Sequence, residues 1–375
     1  MKTAFVTHYS EMYGANISLL TLIEGLREYG VKPYVVAPSK GDMTRELSSR
    51  SVPFCTAPFR TWMSRTSWKA PGRLLLNLAV LPYLTRKISK WGADHIHSNS
   101  SVTPIGALLA EILSLNHTWH IREFGDRDFN LKHDWGEAVF RMFINRADAA
   151  IAVSESLENH VLSDVNIPTH VVYNGVISRA RLEEIGRSSS YKNCNQFTFS
   201  IVGRISQSKG QKQAIRALEI IREELDNVKI LIAGTGSREY VKCVKKLAGD
   251  LNLQDHVTFL GYVEDPYKVY RQSDAVLMCS PHEAMGRVTA EAMAAARPVI
   301  GYNSDGTAEL IDNENNGLLY DGTTEHLACC MGQLVENPDW SRSLGRNGWE
   351  KARREYTNEV YAQQVFDVLS NTPCR

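Results

Sequence analysis

The sequence predicts an α/β protein built from two doubly wound, parallel-sheet domains. Its 375 residues exceed the usual size of one domain, and 43% of them are apolar, which is enough for more than one buried core. Short apolar runs alternate with segments of helical spacing, and this alternation is typical of parallel sheets. The alternation stops at the polar stretch RSSSYKNCNQ, residues 187–196, and then starts again. The restart indicates two domains rather than one large sheet.

The first domain is predicted at residues 1–178. Apolar runs indicate its strands, which are Thr3–His8, Tyr34–Ala37, Phe54–Ala57, His95–His97, Thr118–Ile121, Ala149–Val153 and Val171–Tyr173. The pair Asn174-Gly175 follows the last run and is a strong turn signal. We predict a linker at residues 179–196.

The second domain is predicted at residues 197–355. Its strands are indicated by the runs FTFSIVG, VKILIAG, HVTFLGY, AVLMCS and RPVIGY. Helical spacing lies around Ala214–Glu224, Tyr240–Leu251, Pro266–Gln272 and Thr289–Ala296. A last helical segment is expected at residues 356–375. No short-period repeat interrupts this order.

Charge and cysteine content exclude several classes of protein. Lys plus Arg and Asp plus Glu both number 42, so net charge gives no reason to expect a nucleic acid partner. The seven cysteines include no CxxC pair, which favours reduced thiols in a cytosol. The N-terminus lacks the apolar region of a signal peptide, and no apolar run approaches ~18 residues. We therefore expect a cytoplasmic protein without a spanning helix.

One segment, residues 47–93, departs from this balance. It has no acidic residue, but it carries basic and aromatic side chains and the apolar run LLLNLAVLPYL at Leu74–Leu84. Its basic residues are Arg50, Arg60, Arg65, Lys69, Arg73, Arg86, Lys87 and Lys90. Cations bind anionic headgroups and Trp is enriched at the membrane boundary, so the segment predicts a peripheral contact with an anionic membrane. The alternative is a core helix with a solvated basic rim.

The most informative block is SPHEAMGRVTAEAMAAARPVIG, Ser280–Gly301. It places Glu283 in a Gly-containing loop and Glu291 about two helical turns later, on the same helix face. Free N–H groups at a helix start bind a diphosphate, and carboxylates accept hydrogen bonds from sugar hydroxyls. The block therefore indicates a nucleotide-sugar site. The alternative is a helix whose first turns carry acids that complement its dipole.

A second loop carries two cations. In GRISQSKG, after the first strand of the second domain, Arg204 and Lys209 flank a polar turn ahead of a helix. Ligands of open α/β sheets bind beyond the carboxyl ends of the strands. Fixed cations there neutralise a diphosphate leaving group as its charge grows. The alternative is a solvated turn.

Together these residues resemble the family 4 retaining glycosyltransferases. The long block matches the family pattern at Glu283, Gly286, Glu291, Ala292, Met293, Pro298 and Val299, and GRISQSKG resembles the family's Gly-Arg and Lys-Gly motif. The loop departs at Arg287, where many members have an apolar residue, and at Ala284-Met285-Gly286, where many have Gly-Phe-Gly. The resemblance implies the GT-B fold, with the active site in the cleft between two Rossmann-like domains. It also implies that the helix at residues 356–375 packs back on the N-terminal domain.

The resemblance implies roles for individual residues. The implied catalytic set is Glu283 for the donor sugar, Arg204 and Lys209 for the diphosphate, and His120 for the transferred sugar from the first domain. Further donor contacts are expected at Glu291 for the ribose and at Gly14, Gly234, Tyr262, Val263, Met285, Gly286, Arg287 and Val288. Arg122, Glu123 and Asp126 follow His120 and are expected on the acceptor side. No metal ligands and no cofactor are expected.

The implied activity is transfer of a sugar from a nucleotide diphosphate donor, with a UDP-sugar favoured, to a glycan or lipid-linked oligosaccharide acceptor. The loops AMGR and TWHIREFGD resemble those of bacterial capsule, exopolysaccharide and O-antigen enzymes, which implies a role in surface polysaccharide synthesis. In this family, retention is ascribed to a front-face reaction without a covalent nucleophile. Two alternatives stay open, a GT-B sugar-nucleotide 2-epimerase and a non-enzymatic nucleotide-sugar-binding protein.

Overall fold

The computed structural model describes residues 1–188, 196–222, 225 and 227–372. The chain forms two compact units. Unit 1 comprises Met1–Gly175 and the chain from Asn358 onward, and unit 2 comprises Val176–Thr357. Residues 189–195 of the predicted linker 179–196 lie outside the described residues.

Unit 1 is organised around a parallel sheet. Its strands are β1 (Lys2–Val6), β2 (Lys32–Ala37), β3 (Phe54–Thr56), β4 (Met63–Ser64), β5 (His95–Ser98), β6 (Asn116–Ile121), β7 (Lys132–His133), β8 (Ala149–Ala152) and β9 (Thr169–Val171). The main sheet has the order β3-β2-β1-β5-β6-β8-β9, while β4 and β7 form a separate antiparallel pair. The order reverses between β1 and β5, which is the point where ligands of such sheets bind.

Helices cover both faces of this sheet. They are α1 (Gly14–Glu28), α2 (Asp42–Ser49), α3 (Ala70–Trp91), α4 (Ile105–Leu113), α5 (Asp126–Phe129), α6 (Glu137–Ile144) and α7 (Glu155–Val161). Alternate residues of a strand face opposite sides, so Phe5 packs with Leu19 and Ile23 of α1, whereas Ala4 and Val6 pack in the core formed with α3 and α4. Burial on both faces explains why these strands read as continuous apolar runs.

The long helix α3 buries only one stripe. Asn77, Val80, Leu81, Leu84 and Ile88 lie on that stripe, at the spacing of one helix face. Gly92 ends the helix in the left-handed conformation, with φ of +75°, which glycine adopts without strain. At the other end Arg73 donates two hydrogen bonds to the carboxylate of Asp134, at 2.6 and 2.7 Å. This buried ion pair ties the start of α3 to the segment that follows β7.

Unit 2 repeats the doubly wound plan. Its strands are β10 (Phe197–Val202), β11 (Val228–Ala233), β12 (Val257–Gly261), β13 (Ala275–Met278), β14 (Val299–Tyr302) and β15 (Gly317–Tyr320). They are parallel, in the order β12-β11-β10-β13-β14-β15, and the order reverses between β10 and β13. The helices are α8 (Arg179–Ser188), α9 (Gln211–Arg222), α10 (Arg238–Asp250), α11 (Tyr267–Tyr270), α12 (Arg287–Ala294), α13 (Asp305–Leu310), α14 (Thr324–Glu336) and α15 (Pro338–Glu355).

The segment predicted as the start of the linker is the helix α8. Leu182 and Ile185 are buried, and Gly186 lies so close to Trp349 of α15 that a Cβ would come within 2.7 Å of its ring. The indole Nε1 of Trp349 also donates to the carbonyl oxygen of Leu182 at 3.3 Å. The linker was predicted from the polar stretch at residues 187–196, and the spacing of the two apolar residues before that stretch gives one buried helix face.

The last helix, α16 (Asn358–Asn371), belongs to unit 1. Its Tyr361, Val365 and Val368 lie in the core that contains α1, and a Cβ added at Gly25 of α1 would lie 2.4 Å from the Cβ of Ala362. The absence of a side chain at Gly25 therefore sets how closely α1 and α16 approach.

The expected fold class, two doubly wound α/β domains, is confirmed. Each apolar run predicted as a strand contains or overlaps a strand of the structure. β15 was not predicted, because its four residues GLLY stand between polar turns and are held by parallel pairing with β14 rather than by local pattern. The short pair β4 and β7 was missed for the same reason.

Candidate functional site

The loops that follow β10 and β13 meet at the carboxyl edge of the unit 2 sheet. Gly210 has φ of +68°, and a Cβ there would lie 2.4 Å from the Cβ of Cys279, so this approach requires glycine. Next to it, Nζ of Lys209 forms an ion pair with Oε1 of Glu283. Their side chains are 32% and 16% exposed. The structure thus brings together two predicted ligands of the donor that lie on different loops.

Contacts from the start of α13 fix the conformation around Glu283. The N–H of Gly306 donates to the carbonyl oxygen of Glu283 at 3.0 Å, and a Cβ at Gly306 would lie 2.6 Å from the carbonyl oxygen of Ala284. His282 Nδ1 lies 2.8 Å from Oδ2 of Asp305. The start of α13 therefore packs directly on the loop that carries the carboxylate.

The start of α12 follows this loop. Its N-cap is Gly286, with φ of +80°, so no side chain at the cap accepts hydrogen bonds from the first turn. The predicted contacts Arg287 and Val288 lie in that first turn, whereas the Met285 side chain is buried. A helix start without a side-chain cap favours anions, because the backbone donors and the helix dipole both point toward them.

Glu291 lies one turn further along α12 and is held on both oxygens. Tyr270 donates its hydroxyl to Oε2 at 3.0 Å, and Arg287 donates from NH2 to Oε1 at 3.1 Å. Burial and the neighbouring carboxylate raise the pKa of Tyr270 well above its usual value, so its hydroxyl remains a donor. Sequence analysis missed Tyr270, because a tyrosine in the apolar run YKVY is indistinguishable from a core residue.

Glycines join the loops after β10 and β11. Gly234 has φ of +141°, and a Cβ there would lie 1.7 Å from the carbonyl oxygen of Gly203. Arg204 follows Gly203 and is exposed, and its side chain forms no hydrogen bond or ion pair with another described residue. The carbonyl oxygen of Arg204 accepts a hydrogen bond from Nε2 of Gln211 at 2.9 Å. The predicted contacts Gly234 and Arg204 therefore lie on adjoining loops.

Tyr262 and Val263 follow β12. The N–H of Gly234 donates to the carbonyl oxygen of Gly261 at 2.7 Å, which places this loop beside the previous one. The Tyr262 side chain is 76% exposed. Among the described residues, the Tyr262 side chain forms no hydrogen bond or ring contact with the loops that follow β10 and β13.

In unit 1, the predicted contact Gly14 is exposed at the start of α1. The loop before it is held by Asn16, whose Nδ2 donates to the carbonyl oxygens of Tyr9 at 3.0 Å and Glu11 at 2.8 Å. Thr7 Oγ1 donates to Oδ1 of the same side chain. Asn16 therefore fixes the β1–α1 loop. Its signal in the sequence was a polar residue next to the helix start.

His120 lies inside β6, within the predicted strand Thr118–Ile121. Its ring is fully buried, with Nδ1 3.2 Å from Nε2 of His97 and 3.3 Å from NH2 of Arg122. Burial, and to a lesser extent the Arg122 charge, hold the pKa of His120 well below its usual range, so the ring is neutral. Nε2 has no hydrogen-bond partner among the described residues. The predicted sugar contact would have to use that atom, and it stays a prediction.

Arg122 and Glu123 lie directly after β6, and both are buried. Arg122 donates to Oδ1 of Asn99 at 2.7 Å, to Asn174 and, at 2.7 Å, to the hydroxyl of Tyr361 in α16. The guanidinium therefore joins the ends of two strands to the last helix. Asp126 lies apart from this network, in α5, with its carboxylate 3.1 Å from Nε2 of His160.

Glu123 is a buried carboxyl group whose partners in the described part of the chain are hydroxyl and backbone N–H groups rather than cations. Its Oε1 accepts hydrogen bonds from Ser100 Oγ at 2.6 Å, Ser101 Oγ at 3.0 Å and Ser101 N at 3.1 Å. Burial raises the pKa of Glu123 to about 7, although these hydrogen bonds oppose the shift.

Three further predictions concern metals, membrane spans and thiols. The described part of the chain contains no group of three or more His, Cys, Asp or Glu side chains that could hold a metal ion. Of its helices, none combines the length and the apolar character that crossing a membrane needs. The cysteines at 55, 243, 279, 329 and 330 are unbridged, while Cys194 and Cys374 lie outside the described residues.

Comparison with known families decides what this arrangement belongs to. The profile described as "Glycosyltransferase Family 4" matches residues 12–178, and the profile described as "Glycosyl transferases group 1" matches residues 183–351. The chain belongs to the family 4 glycosyltransferases. The family predicted from the motifs is thereby confirmed.

Curated relatives of this glycosyltransferase include an archaeal and a bacterial protein. It is 29% identical over 295 residues to an uncharacterized glycosyltransferase of Methanocaldococcus jannaschii, covering 73% of this chain and 74% of that protein. It is 22% identical to the alpha-monoglucosyldiacylglycerol synthase of Streptococcus pneumoniae, covering 97% of this chain and 85% of that protein.

Solved structures show the same fold. HepE of Anabaena in complex with UDP aligns with a TM-score of 0.80 at 22% identity, over 99% of this chain and 100% of that chain. Sucrose-phosphate synthase of Thermosynechococcus elongatus aligns with a TM-score of 0.76 at 19% identity, over 99% and 98% of the two chains. The glycosyltransferase therefore has the GT-B fold that its motifs predicted.

Proposed function

We propose that this glycosyltransferase moves a sugar from a UDP-sugar to a glycan or lipid-linked oligosaccharide, with retention of anomeric configuration and without a metal ion. The observation that carries the proposal is the ion pair between Lys209 and Glu283 beside the start of α12. A cation, a carboxylate and the backbone donors of a helix start adjoin there. These are the groups that a departing diphosphate and the hydroxyls of a sugar require.

In this mechanism Arg204 and Lys209 bind the diphosphate, and their charges stabilise it most as the bond from the sugar C1 to the phosphate oxygen breaks. Glu283 accepts hydrogen bonds from hydroxyls of the donor sugar. The acceptor oxygen forms its bond to C1 on the same face, and its proton passes to the departing phosphate. Atoms and charges balance without a covalent intermediate, so no protein nucleophile is needed.

Before the donor binds, Lys209 and Glu283 neutralise each other. Each is then held in place at little electrostatic cost, because neither charge is left partly buried without a partner. A diphosphate offers Lys209 a second anion, and a sugar hydroxyl offers Glu283 a donor. The ion pair thus orients both side chains for the ligand that we propose.

The choice of uracil as the base rests on likeness to HepE. The Anabaena structures of HepE contain UDP, UDP with glucose, or UDP-glucose. At 22% identity this likeness shows the fold alone, and it supports UDP as the first nucleotide to test. We further propose a role in bacterial surface polysaccharide synthesis, because the loops AMGR and TWHIREFGD resemble those of capsule, exopolysaccharide and O-antigen enzymes.

A transfer assay tests the proposal. The purified protein is incubated with UDP- and GDP-sugars and with lipid-linked or free glycan acceptors, after removal of divalent ions by chelation. We expect release of UDP and a glycoside whose anomeric configuration, read by NMR, matches that of the donor. A requirement for added magnesium or manganese, or an inverted product, would contradict the corresponding part of the proposal. A 2-epimerised sugar or binding without turnover would identify one of the two alternatives.

We also propose that the acceptor is reached at the cytoplasmic face of a membrane, through the surface of α3. The face of α3 opposite its buried stripe exposes Leu74, Leu75, Leu76, Leu78 and Tyr83. Trp68 before the helix is 76% exposed and Leu75 is 68% exposed. Arg86, Lys87 and Lys90 follow on the exposed surface of the same helix. An apolar face next to cations is typical of a helix at a membrane interface. The S. pneumoniae relative is named for a glucosyldiacylglycerol, which supports a lipid acceptor.

The structure narrows which basic residues of segment 47–93 could bind lipid. Arg73 is only 14% exposed and pairs with Asp134, whose side chain is 1% exposed, so its cation stabilises the fold. Arg50 pairs with Glu24 and Glu46. The expectation that the whole segment forms one basic surface is therefore corrected, because Arg50 and Arg73 form ion pairs within the protein.

Vesicle co-sedimentation tests this surface. Replacing Arg86, Lys87 and Lys90 by Glu should release the protein from anionic vesicles, since each cation near such a surface contributes ~1 kcal/mol. The matched control replaces Lys242, Lys245 and Lys246, which are exposed on α10 of unit 2, by Glu. If both triple variants lost vesicle binding equally, the binding would depend on net charge rather than on the surface of α3. Failure of the wild type to bind at low salt would contradict the membrane contact.

A further inference from the structure

The carboxylate of Glu291 receives one donor on each oxygen, and the two donors come from different elements. Tyr270 of α11 donates to Oε2, and Arg287 at the start of α12 donates to Oε1. A carboxylate offers about four lone-pair positions, two on each oxygen. Each oxygen of Glu291 therefore keeps one acceptor position for a ligand while its orientation is fixed from the other side.

We propose that Tyr270 and Arg287 are positioning residues that orient Glu291 so that its two oxygens accept hydrogen bonds from the two ribose hydroxyls of the donor nucleotide. The inference rests on the proposed function, in which Glu291 binds the ribose. A vicinal diol supplies two donors and the clamped carboxylate supplies two acceptors. A freely rotating carboxylate would lose conformational entropy on binding, which a pre-oriented one does not.

Packing holds the Tyr270 hydroxyl in place. The Tyr270 side chain is fully buried, and its ring makes an edge contact with Tyr267 at 5.7 Å between centroids. Tyr267 is itself fixed, because its hydroxyl donates to the carbonyl oxygen of Val176 at 3.2 Å and the Arg181 guanidinium lies 4.6 Å from its ring centre. Asp265 in turn accepts two hydrogen bonds from Arg181. The donor to Glu291 thus has little freedom to turn away.

Arg287 is the second donor to Glu291, and it is one of the positions at which this chain departs from the family pattern. It lies four residues before Glu291, a spacing that brings side chains together on a helix surface. Both side chains of this pair are largely buried, so the guanidinium offsets a carboxylate charge that water solvates poorly. An apolar residue at 287 supplies neither the hydrogen bond nor the charge. The hydrogen bond from Arg287 is therefore a feature of this chain that the usual apolar residue could not supply to Glu291.

The test compares nucleotides that differ only in the ribose. Calorimetry measures binding of UDP and of 2′-deoxy-UDP to the wild type and to Tyr270→Phe, Arg287→Met and Arg287→Lys. We expect the wild type to favour UDP by on the order of 10-fold, the usual effect of one hydrogen bond to a charged group. Tyr270→Phe and Arg287→Met should each reduce this preference several-fold with little change for 2′-deoxy-UDP. Arg287→Lys, which keeps a cation and a donor, should recover part of it.

Steady-state kinetics and a double-mutant cycle separate positioning from a structural role. Tyr270→Phe should raise KM for the donor more than it lowers kcat. In a Glu291→Gln background, the same change should leave the preference for UDP unaltered, because a residue that acts through Glu291 has nothing left to orient. Tyr320→Phe is the matched control, since Tyr320 is another buried tyrosine of unit 2 whose hydroxyl donates a hydrogen bond, to Gln213 at 3.0 Å.

The outcomes separate this inference from the proposed function. A wild type that binds no nucleoside diphosphate overturns the proposed function and the clamp with it. A wild type that binds UDP and 2′-deoxy-UDP equally overturns the ribose role of Glu291. A ribose preference that survives in Tyr270→Phe and Arg287→Met, or that falls equally in Tyr320→Phe, overturns the clamp alone. Thermal melting of each variant shows whether a loss reflects unfolding instead, and a conservative variant that stays folded yet loses the preference supports the clamp.

Discussion

The carboxyl edges of the two sheets differ in how their polar groups are partnered. In unit 2, Lys209 and Glu283 are partly exposed and form an ion pair between two loops. In unit 1, Arg122 and Glu123 are buried, and their hydrogen bonds go to groups of the same unit. The same doubly wound plan thus carries one edge whose charges remain accessible and another whose charges hold strand ends and a helix together.

The difference shows that strand-end position alone does not define a ligand site. Both edges offer polar residues after parallel strands, as ligand sites in such sheets do. Among the described residues, the unit 2 edge combines a partly exposed pair of opposite charges with the start of a helix that no side chain caps. In unit 1, burial has a cost, because the carboxyl group of Glu123 lies in a region that disfavours its charge.

The largest effect should come from neutralising that buried carboxyl. Since the folded pKa of Glu123 is about 7 and its ordinary value is 4.5, the folded state binds the proton more tightly. Stability from this group is fully present below pH 4.5 and is lost as pH rises to 7. Glu123→Gln should remove the loss and stabilise the protein above pH 7 by up to about 3 kcal/mol, at 1.36 kcal/mol per pKa unit.

Chemical denaturation at pH 5 and pH 8 measures this effect. Buried His97 and His120, whose pKa values are lowered, change stability in the opposite direction as pH rises. Their contribution is common to both proteins, so it cancels in the difference between variant and wild type. Equal stability of the two proteins at pH 8 would mean that Glu123 is not strained, and the contrast between the two edges would weaken.

The second prediction removes the accessible carboxylate of unit 2. Glu283→Ala should lower turnover on the order of 10²-fold, because hydrogen bonds of a charged group to the reorganising sugar strengthen in the transition state. UDP itself should still bind, since it lacks the transferred sugar that Glu283 contacts. Glu239→Ala, at an exposed position in the first turn of α10, is the control. Near-normal turnover of the Glu283 variant would remove this residue from the mechanism.

The smallest effect is expected for the cations taken singly. Arg204→Ala or Lys209→Ala should weaken UDP binding on the order of 10-fold, the cost of one charged hydrogen bond, and leave uridine binding unchanged. Calorimetry with both ligands measures the difference. Lys246→Ala, on exposed α10, should change neither affinity. An unchanged affinity for UDP in both variants would refute the phosphate role and leave the ion pair as a structural contact.

Sequence reasoning was strongest where partners follow strands. Lys209 and Glu283 were each predicted as groups of one donor site at the strand ends, and the structure brings them together across 74 residues, although their direct ion pair was not predicted. The clamp on Glu291 could not be predicted in full. Arg287 was visible at helical spacing, but Tyr270 lies on another element, and only the packing of α11 brings its hydroxyl to the carboxylate.

The sequence did not show which side chains are buried. The strand that contains His120 was predicted, but the complete burial of its ring was not, because it depends on the pairing of β6 with β5 and β8 and on distant residues such as His97 and Arg122. Arg73 was counted among surface cations because its partner Asp134 lies 61 residues away. Local sequence gives the type of a residue, whereas its exposure depends on which distant element covers it.

The packing of α16 in unit 1 has a consequence for the order in which the protein folds during synthesis. The core around α1 includes Tyr361, Val365 and Val368, which the ribosome adds only after all of unit 2 has been made. Unit 2 is continuous, so its whole sheet emerges before the earlier-made unit 1 has its last helix. We therefore expect unit 1, which is synthesised first, to finish folding last. The apolar surface of α1 stays exposed until α16 has been synthesised and packs on it.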